Sequence, residues 1–316
     1  MADRRRGAAL GGPPGGGRRT ASVGVDVDSL RHYYRIHGLD EGSATNAAWA
    51  VGVPRFVELF GELGIPATFY CIAEDLDVPG NGARLRSLVV AGHEIGNHTW
   101  HHRYDLTRLD PDTRWAEIAE GRSILEAAAG APVVGFRSPG YNTDAALQVD
   151  VAASGHEYDT SVFPCVPYYL AKAGVMGAMR LRGRRSESVL GTPRVLAAPR
   201  DPYVADARQP HRRGSTGLRQ YPVSVVAGVP LIGTAFTALG RAGSRAAVAL
   251  AHAARHHVTV EFHAVDLLGL TDDGLDPALS VQPDLKASVA RKRRIYRTIL
   301  GWLAARRRFV RLDTLP

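Results

Sequence analysis

Only two cysteines occur in this 316-residue chain, Cys71 and Cys165. They form no CxxC pair, so no thiol-based redox or metal motif is present, and two isolated thiols fit a reducing compartment without requiring one. Long apolar runs are missing too. The longest, Val223 to Leu239 (VSVVAGVPLIGTAFTAL), is broken by Pro230 and glycines and falls short of the ~20 residues of a spanning helix. It is expected to be a buried or surface-binding segment. Lysine is scarce: nearly all of the 39 basic residues are Arg, a pattern of coding bias rather than of a binding face. The formal charge of +8 would ordinarily point to nucleic acid or an anionic surface. Half of it sits in the first twenty residues, where five Arg oppose one Asp. That Gly/Pro-rich stretch, residues 1–20, is expected to be a disordered tail. It has no apolar h-region and so does not read as a secretory signal. The expectation is a cytoplasmic protein that does not bind nucleic acid, with peripheral contact at the inner face of the membrane left open. Nothing in the sequence bears on oligomeric state.

What is present suffices for a full core, at 45% hydrophobic and 22% charged residues. Short β-branched runs alternate with amphipathic ones. Strands are expected at 22–28, 67–72, 93–97 and 133–136, and helices at 53–63 (Phe56, Val57, Phe60 and Leu63 on one face), 84–91 and 111–129. Asp110 caps the last of these, with Pro111 at its first position. Such alternation implies a parallel sheet covered by helices, open or closed as a barrel. Regularity weakens after Pro164 and returns with a helix at 244–256, a strand at 258–263, a basic helix at 283–305 and a last strand at 309–312. The division expected is a tail, 1–20, and one α/β domain, 21–316, with an irregular insertion at 165–243.

Polar residues fall at the ends of these strands. Asp26 and Asp28 close the first, His98 follows the third, Arg137 follows the fourth and His263 ends the late one. Parallel α/β folds gather reactive groups at the carboxyl ends of strands, because the loops there converge on one mouth. The stretch GHEIGNHTWHH (92–102) holds four of the 12 histidines. His98 and His102 stand at i and i+4, which on a helical turn puts both imidazoles on one face; His101 is the rival at i+3. Joined by Asp28, two imidazoles and a carboxylate make a three-ligand set with positions left open, as in catalytic metal sites. His93, at a strand start, is expected to bond backbone.

Taken together, Val25-Asp26-Val27-Asp28-Ser29, His98-Thr-Trp-His-His102, Arg137-Ser-Pro-Gly140 and Glu261-Phe262-His263 resemble the Asp-x-Asp branch of the polysaccharide deacetylases, the NodB-homology carbohydrate esterases. The likeness runs from about residue 22 to 164 and again from about 246 to the end. His263-Ala-Val-Asp266 echoes the lipid-linked formamido-arabinose deformylases among them. The resemblance implies a distorted (β/α) barrel and a metal-dependent removal of acyl groups from amino sugars. It implies that Asp28, His98 and His102 hold a divalent ion, Zn²⁺ first among candidates. Asp26 would be the general base, Arg137 its partner, the Gly140 N–H an oxyanion donor and His263 the general acid.

Two departures stand out. The stretch Glu157 to Pro164 lacks the Asp-Trp pair usual in a motif that tunes the catalytic His, with Asp159 or Asp266 the candidates to replace it. Glu261-Phe262 replaces the familiar Leu-x before His263. The function expected is removal of acetyl or formyl from an amino sugar, on an intracellular precursor, a lipid-linked glycan or a glycoside. The alternatives are a hydrolase of cyclic or non-sugar amides, as in the allantoinase-like members, and a catalytically degraded glycan-binding module. Substrate recognition is expected in Leu30 to Ala50 and the irregular middle, with the run 223–239 a candidate surface for a lipid carrier, unless it packs on the barrel.

Overall fold

The computed structural model describes residues 19–181, 183, 187–215 and 217–315. Residues 1–18 of the expected disordered tail lie outside the described residues, and Thr20 already begins the first strand. The strands are β1 (Thr20–Val27), β2 (Thr68–Cys71), β3 (Glu94–Asn97), β4 (Gly135–Phe136), β5 (Tyr158–Asp159), β6 (Tyr203–Asp206), β7 (Gln209–Arg213), β8 (Arg219–Gln220), β9 (Val225–Val226), β10 (Val229–Pro230), β11 (His257–His263) and β12 (Arg308–Phe309). The α-helices are α1 (Leu30–His37), α2 (Val53–Leu63), α3 (Asn81–Val90), α4 (Pro111–Ala129), α5 (Ala145–Ala153), α6 (Val166–Leu181), α7 (Gly233–Ala254) and α8 (Val289–Ala304). The main sheet runs β11-β1-β2-β3-β4-β5-β8-β6-β7, with β12 also beside β1. It is parallel through β8 and antiparallel beyond. This is the expected mixed α/β architecture of parallel strands and covering helices. Among the described residues its hydrogen bonding does not close into a ring.

The period of two along each strand divides the chemistry. In β1, Ala21, Val23, Val25 and Val27 join the apolar core, whereas Ser22, Gly24 and Asp26 take the alternate side. β11 repeats this, with Val258, Val260 and Phe262 in the core and His257, Thr259, Glu261 and His263 alternating with them. The core packs α2, α7 and α8 on the sheet through Phe56, Phe236 and Tyr296, all within 6.0 Å of the Phe262 ring. Each such buried aromatic contributes roughly 1.5–3 kcal/mol.

The polar side of the strands is built around large polar side chains. A Cβ on Gly24 would stand 2.9 Å from Arg137 Nη2, and one on Gly96 would stand 2.4 Å from the Tyr70 ring. These glycines therefore give Arg137 and Tyr70 their space.

Several elements differ from the sequence expectations at their ends. The helix expected at 84–91 begins at Asn81, and α4 spans 111–129 with Asp110 accepting from the Thr113 N–H. The helix expected from 283 starts only at Val289, because Pro277 and Pro283 open short 3-10 turns first. The last strand is only Arg308–Phe309. The middle region, expected to be irregular, contains α6, the strands β6 to β8 that extend the sheet, and the first turns of α7, which kinks at Gly240. The run 223–239 mostly packs inward: Val223, Leu231 and Phe236 are fully buried, whereas Leu239 at its end is exposed. Among the described residues no helix is long and apolar enough to cross a membrane.

Candidate active site

Parallel pairing places Asp26 of β1 directly beside His263 of β11. The segments after β3 and β4 join them, since the His98 N–H donates to the Cys71 carbonyl and the Arg137 N–H to that of Asn97. Asp26, Asp28, His98, His102 and Arg137 are all buried, and the His263 side chain is 29% exposed.

Asp28, His98 and His102 each offer one ligand atom within 4.8 Å of the others. Both imidazole Nε2 atoms lie 3.3 Å from Asp28 Oδ1. Yet Asp28 Oδ1 and both nitrogens of His102 make no well-formed hydrogen bond. Buried polar atoms left in that state are costly, and a cation at the point of convergence would satisfy them. His98 Nδ1 lies 2.6 Å from the Arg137 carbonyl, which fixes the tautomer and turns the Nε2 lone pair toward the cluster. The donor set and its support thus fit a divalent ion. Burial pushes the Asp28 carboxyl up, but His102 and His98 together outweigh it and hold the group well below the usual carboxylate range.

The two histidines do not meet across a helical turn. Thr99 and His102 both take positive φ, 70° and 58°, and the segment is a tight loop. Its turn is held by Thr99, whose N–H donates to Asn97 Oδ1 and whose Oγ1 accepts the His102 N–H. His101 points elsewhere: its Nδ1 lies 2.7 Å from Glu117 of α4, and its ring stacks on Trp100. The loop thus brings His102, and not His101, beside Asp28 and His98. His93 accepts a hydrogen bond from the Ala67 N–H, as its position suggested.

Beside the cluster, Arg137 pairs with Asp26 through Nη1, donates from Nε to Thr160 Oγ1 at 2.8 Å and lies 4.1 Å over the Tyr70 ring. Burial raises the Asp26 carboxyl, an effect that Arg137 and then His98 only partly offset. His263 Nε2 is 4.0 Å from Asp26 Oδ2 and 3.9 Å from Asp28 Oδ2. Its Nδ1 sits 2.9 Å from Glu261 Oε1, an ion-pair contact rather than an aligned hydrogen bond. Burial favours neutral imidazole there, but Glu261, followed by Asp28 and Asp26, raises His263 well above its ordinary value.

The residue beside the His263 ring is therefore Glu261, not Asp159 or Asp266. Asp159 accepts from Ser161 and Gln148, and Asp266 takes the His263 backbone N–H. The signal for Glu261 was in the sequence, as a lone acid two positions before His263 on the same side of an otherwise apolar strand.

Gly140 adopts φ 63° in the turn Pro139–Tyr141, and its carbonyl accepts from Lys172 Nζ of α6 at 3.1 Å. Burial lowers Lys172 to about 8. The neighbouring Tyr141 N–H is already donated to the Ser138 carbonyl. Two further residues escaped the sequence reading: the ring of His32 of α1 lies tilted against that of His102, 4.3 Å between centroids, and Tyr104 meets the His102 ring edge-on at 4.8 Å.

Comparison with known proteins places this geometry in a class. Residues 40–158 match the family model described as polysaccharide deacetylase. The crystal structure of a proposed polysaccharide deacetylase from Mycobacterium smegmatis superposes with a TM-score of 0.60 at 19% identity, covering 97% of this chain and 91% of that one, and so shares the fold. The peptidoglycan deacetylase of Helicobacter pylori is 24% identical over 155 residues, 47% of this chain and 52% of that protein. This chain thus spans about half the length of that curated relative. Over residues 40–158 the chain is thus similar to the polysaccharide deacetylases.

Proposed function

We propose that the protein is a divalent-metal-dependent hydrolase that removes an N-acyl group, acetyl or formyl, from an amino sugar of a polysaccharide, a peptidoglycan or a lipid-linked precursor. One observation carries this reading. A carboxylate raised by burial, Asp26, and an imidazole raised well above its ordinary value by an adjacent acid, His263, stand within 4.0 Å of each other beside three convergent ligands. Environments that set a base and an acid side by side in this way characterise acid–base catalysis.

Asp28, His98 and His102 would hold the ion, and Zn²⁺ suits their mixed nitrogen and oxygen donors. When bound, it supplies Lewis acidity and lowers the pKa of a coordinated water. The chain's own groups do the rest. Asp26 takes the proton of the attacking water at the carboxylate oxygen not held by Arg137, and Arg137 orients that carboxylate and favours its ionised form against burial. The Gly140 N–H would serve as the oxyanion donor, since that of Tyr141 is donated to the Ser138 carbonyl. His263 Nε2 delivers a proton to the departing amine. The test is release of acetate or formate from a panel of N-acetylated and N-formylated amino-sugar glycans and lipid-linked sugars. Release that chelation abolishes and metal restores supports the reading; no release from any member by metal-loaded protein overturns it.

Glu261→Gln follows from the same geometry. His263 must be protonated to act as acid, and Glu261 keeps it so to higher pH. Without that charge His263 falls back toward its ordinary value, so the alkaline limb of the kcat profile should move to lower pH. An unmoved alkaline limb would mean that Glu261 does not set the acid.

A further inference from the structure

A cavity of about 580 Å³ opens between the N-terminus of α5, the 3-10 turn Pro193–Ala197 and strand β7. That volume suits a small molecule. None of the groups placed in the active site lines it. Its walls carry Arg194, Arg208 and Arg212, all exposed, and among the described residues none of the three is paired with a carboxylate. The one acid in the wall is Asp144, whose Oδ1 accepts the Leu147 N–H as the cap of α5. The fourth basic side chain is different. His211 is 7% exposed, and neither of its ring nitrogens meets a hydrogen-bond partner. Burial, and after it the charge of Arg194, lowers His211 below its ordinary value against the opposing pull of Asp144, which favours the neutral ring. A buried imidazole left without partners is costly. Helix α5 adds donors of its own. The first N–H groups of a helix have no acceptor within it, and the cap takes up that of Leu147, which leaves those of Ala145 and Ala146 in the cavity wall.

We infer that this cavity binds a small phosphate monoester, its phosphoryl group held by Arg194, Arg208, Arg212 and the first turn of α5, with His211 as a further hydrogen-bonding partner. The charges select phosphate over carboxylate. Three arginines face one aspartate there, and a monoester brings about −1.5 to −2 at pH 7 where a carboxylate brings a single charge. Guanidinium forks and helix N-termini both suit phosphoryl oxygens. Ala145, Ala146, Ala197 and Pro210 complete the wall and give apolar surface to the organic part of the ester, which inorganic phosphate lacks. The inference does not rest on the proposed chemistry.

The test is calorimetric binding of phenyl phosphate to the full chain, with inorganic phosphate and phenol as companion probes. Phenyl phosphate should bind, inorganic phosphate should bind more weakly and compete with it, and phenol should not bind. The double variant Arg194→Gln, Arg208→Gln should weaken phenyl phosphate by about tenfold or more, with an unchanged circular dichroism spectrum and melting temperature because both side chains are exposed. His211→Phe keeps a ring but no donor. It should also weaken binding, while the ligand-free variant melts no lower than wild type, since it removes two unpartnered polar atoms. His98→Ala should bind as wild type does, which separates this cavity from phosphate resting on a metal ion. The inference is overturned if neither phosphate binds, if inorganic phosphate binds as tightly as the ester, if the arginine variant binds undiminished, or if His98→Ala loses binding while the arginine variant keeps it. Binding is read without turnover, so its failure leaves the hydrolase reading intact.

Discussion

Replacing His98 or His102 by Ala is expected to strip the protein of its divalent ion, while His101→Ala keeps it. Three donors converge on one point, with Asp28 Oδ1 and the His102 nitrogens lacking other well-formed hydrogen bonds, so loss of one imidazole leaves two protein ligands where catalytic sites use three. His101 contributes nothing there, because its ring is committed to Glu117 and Trp100. Metal content of the purified variants by mass spectrometry, after dialysis against a weak chelator, reads this directly. About one ion per chain in wild type and His101→Ala, and near none in the other two, is the expected pattern. Stoichiometric metal in both His98→Ala and His102→Ala would remove the assignment. Activity in those two should fall to background in parallel, whichever acyl group the substrate carries.

The legible parts of this structure were those where one local rule governs. The Asp110-Pro111 start of α4 is such a case, since an N-cap acid and a first-turn Pro satisfy the same orphan N–H groups in any context. The strand-end positions of Asp26, His98, Arg137 and His263 were legible for a similar reason, as parallel strands deliver their carboxyl ends to one edge of the sheet.

What failed was governed by contacts distant in sequence. His98 and His102 were expected to meet because i and i+4 neighbour each other on a helix, but their approach depends on a loop with two positive-φ residues, fastened by Asn97, Thr99 and Glu117. Helix α1 was missed because its buried side mixes Leu30 and Tyr34 with His32, a polar residue that only the approach of His102 explains. Helix α6 was passed over because its apolar residues face outward and Gly174 and Gly177 lower its intrinsic propensity. The apolar run 223–239 left two readings open, a lipid surface or packing on the sheet, and most of it packs on the sheet.

Asp26→Asn should separate base catalysis from metal binding. Asp26 stands outside the three-ligand cluster and faces it across 3.9 Å from His98 Nε2, so the variant should retain about one ion per chain while kcat falls by ~100-fold or more, as for a lost general base. The pH profile provides a second reading. Burial raises Asp26 in the folded protein, so wild-type activity should climb with pH as this carboxyl ionises, and the acidic limb should vanish in the variant, which has nothing to ionise at that position. Stability must be measured alongside, because Asn leaves the buried Arg137 guanidinium without its counter-charge. Breaking one partner of such a pair costs ~3–5 kcal/mol, and the low end applies here because the amide oxygen still accepts from Arg137. Chemical denaturation of the two proteins gives that figure, and turnover should be compared only where both are folded. A folded, metal-replete Asp26→Asn enzyme with near-normal kcat would show that another group takes the water's proton. If that group were His263, it would have to begin the reaction neutral, and its role as the acid would be abandoned too.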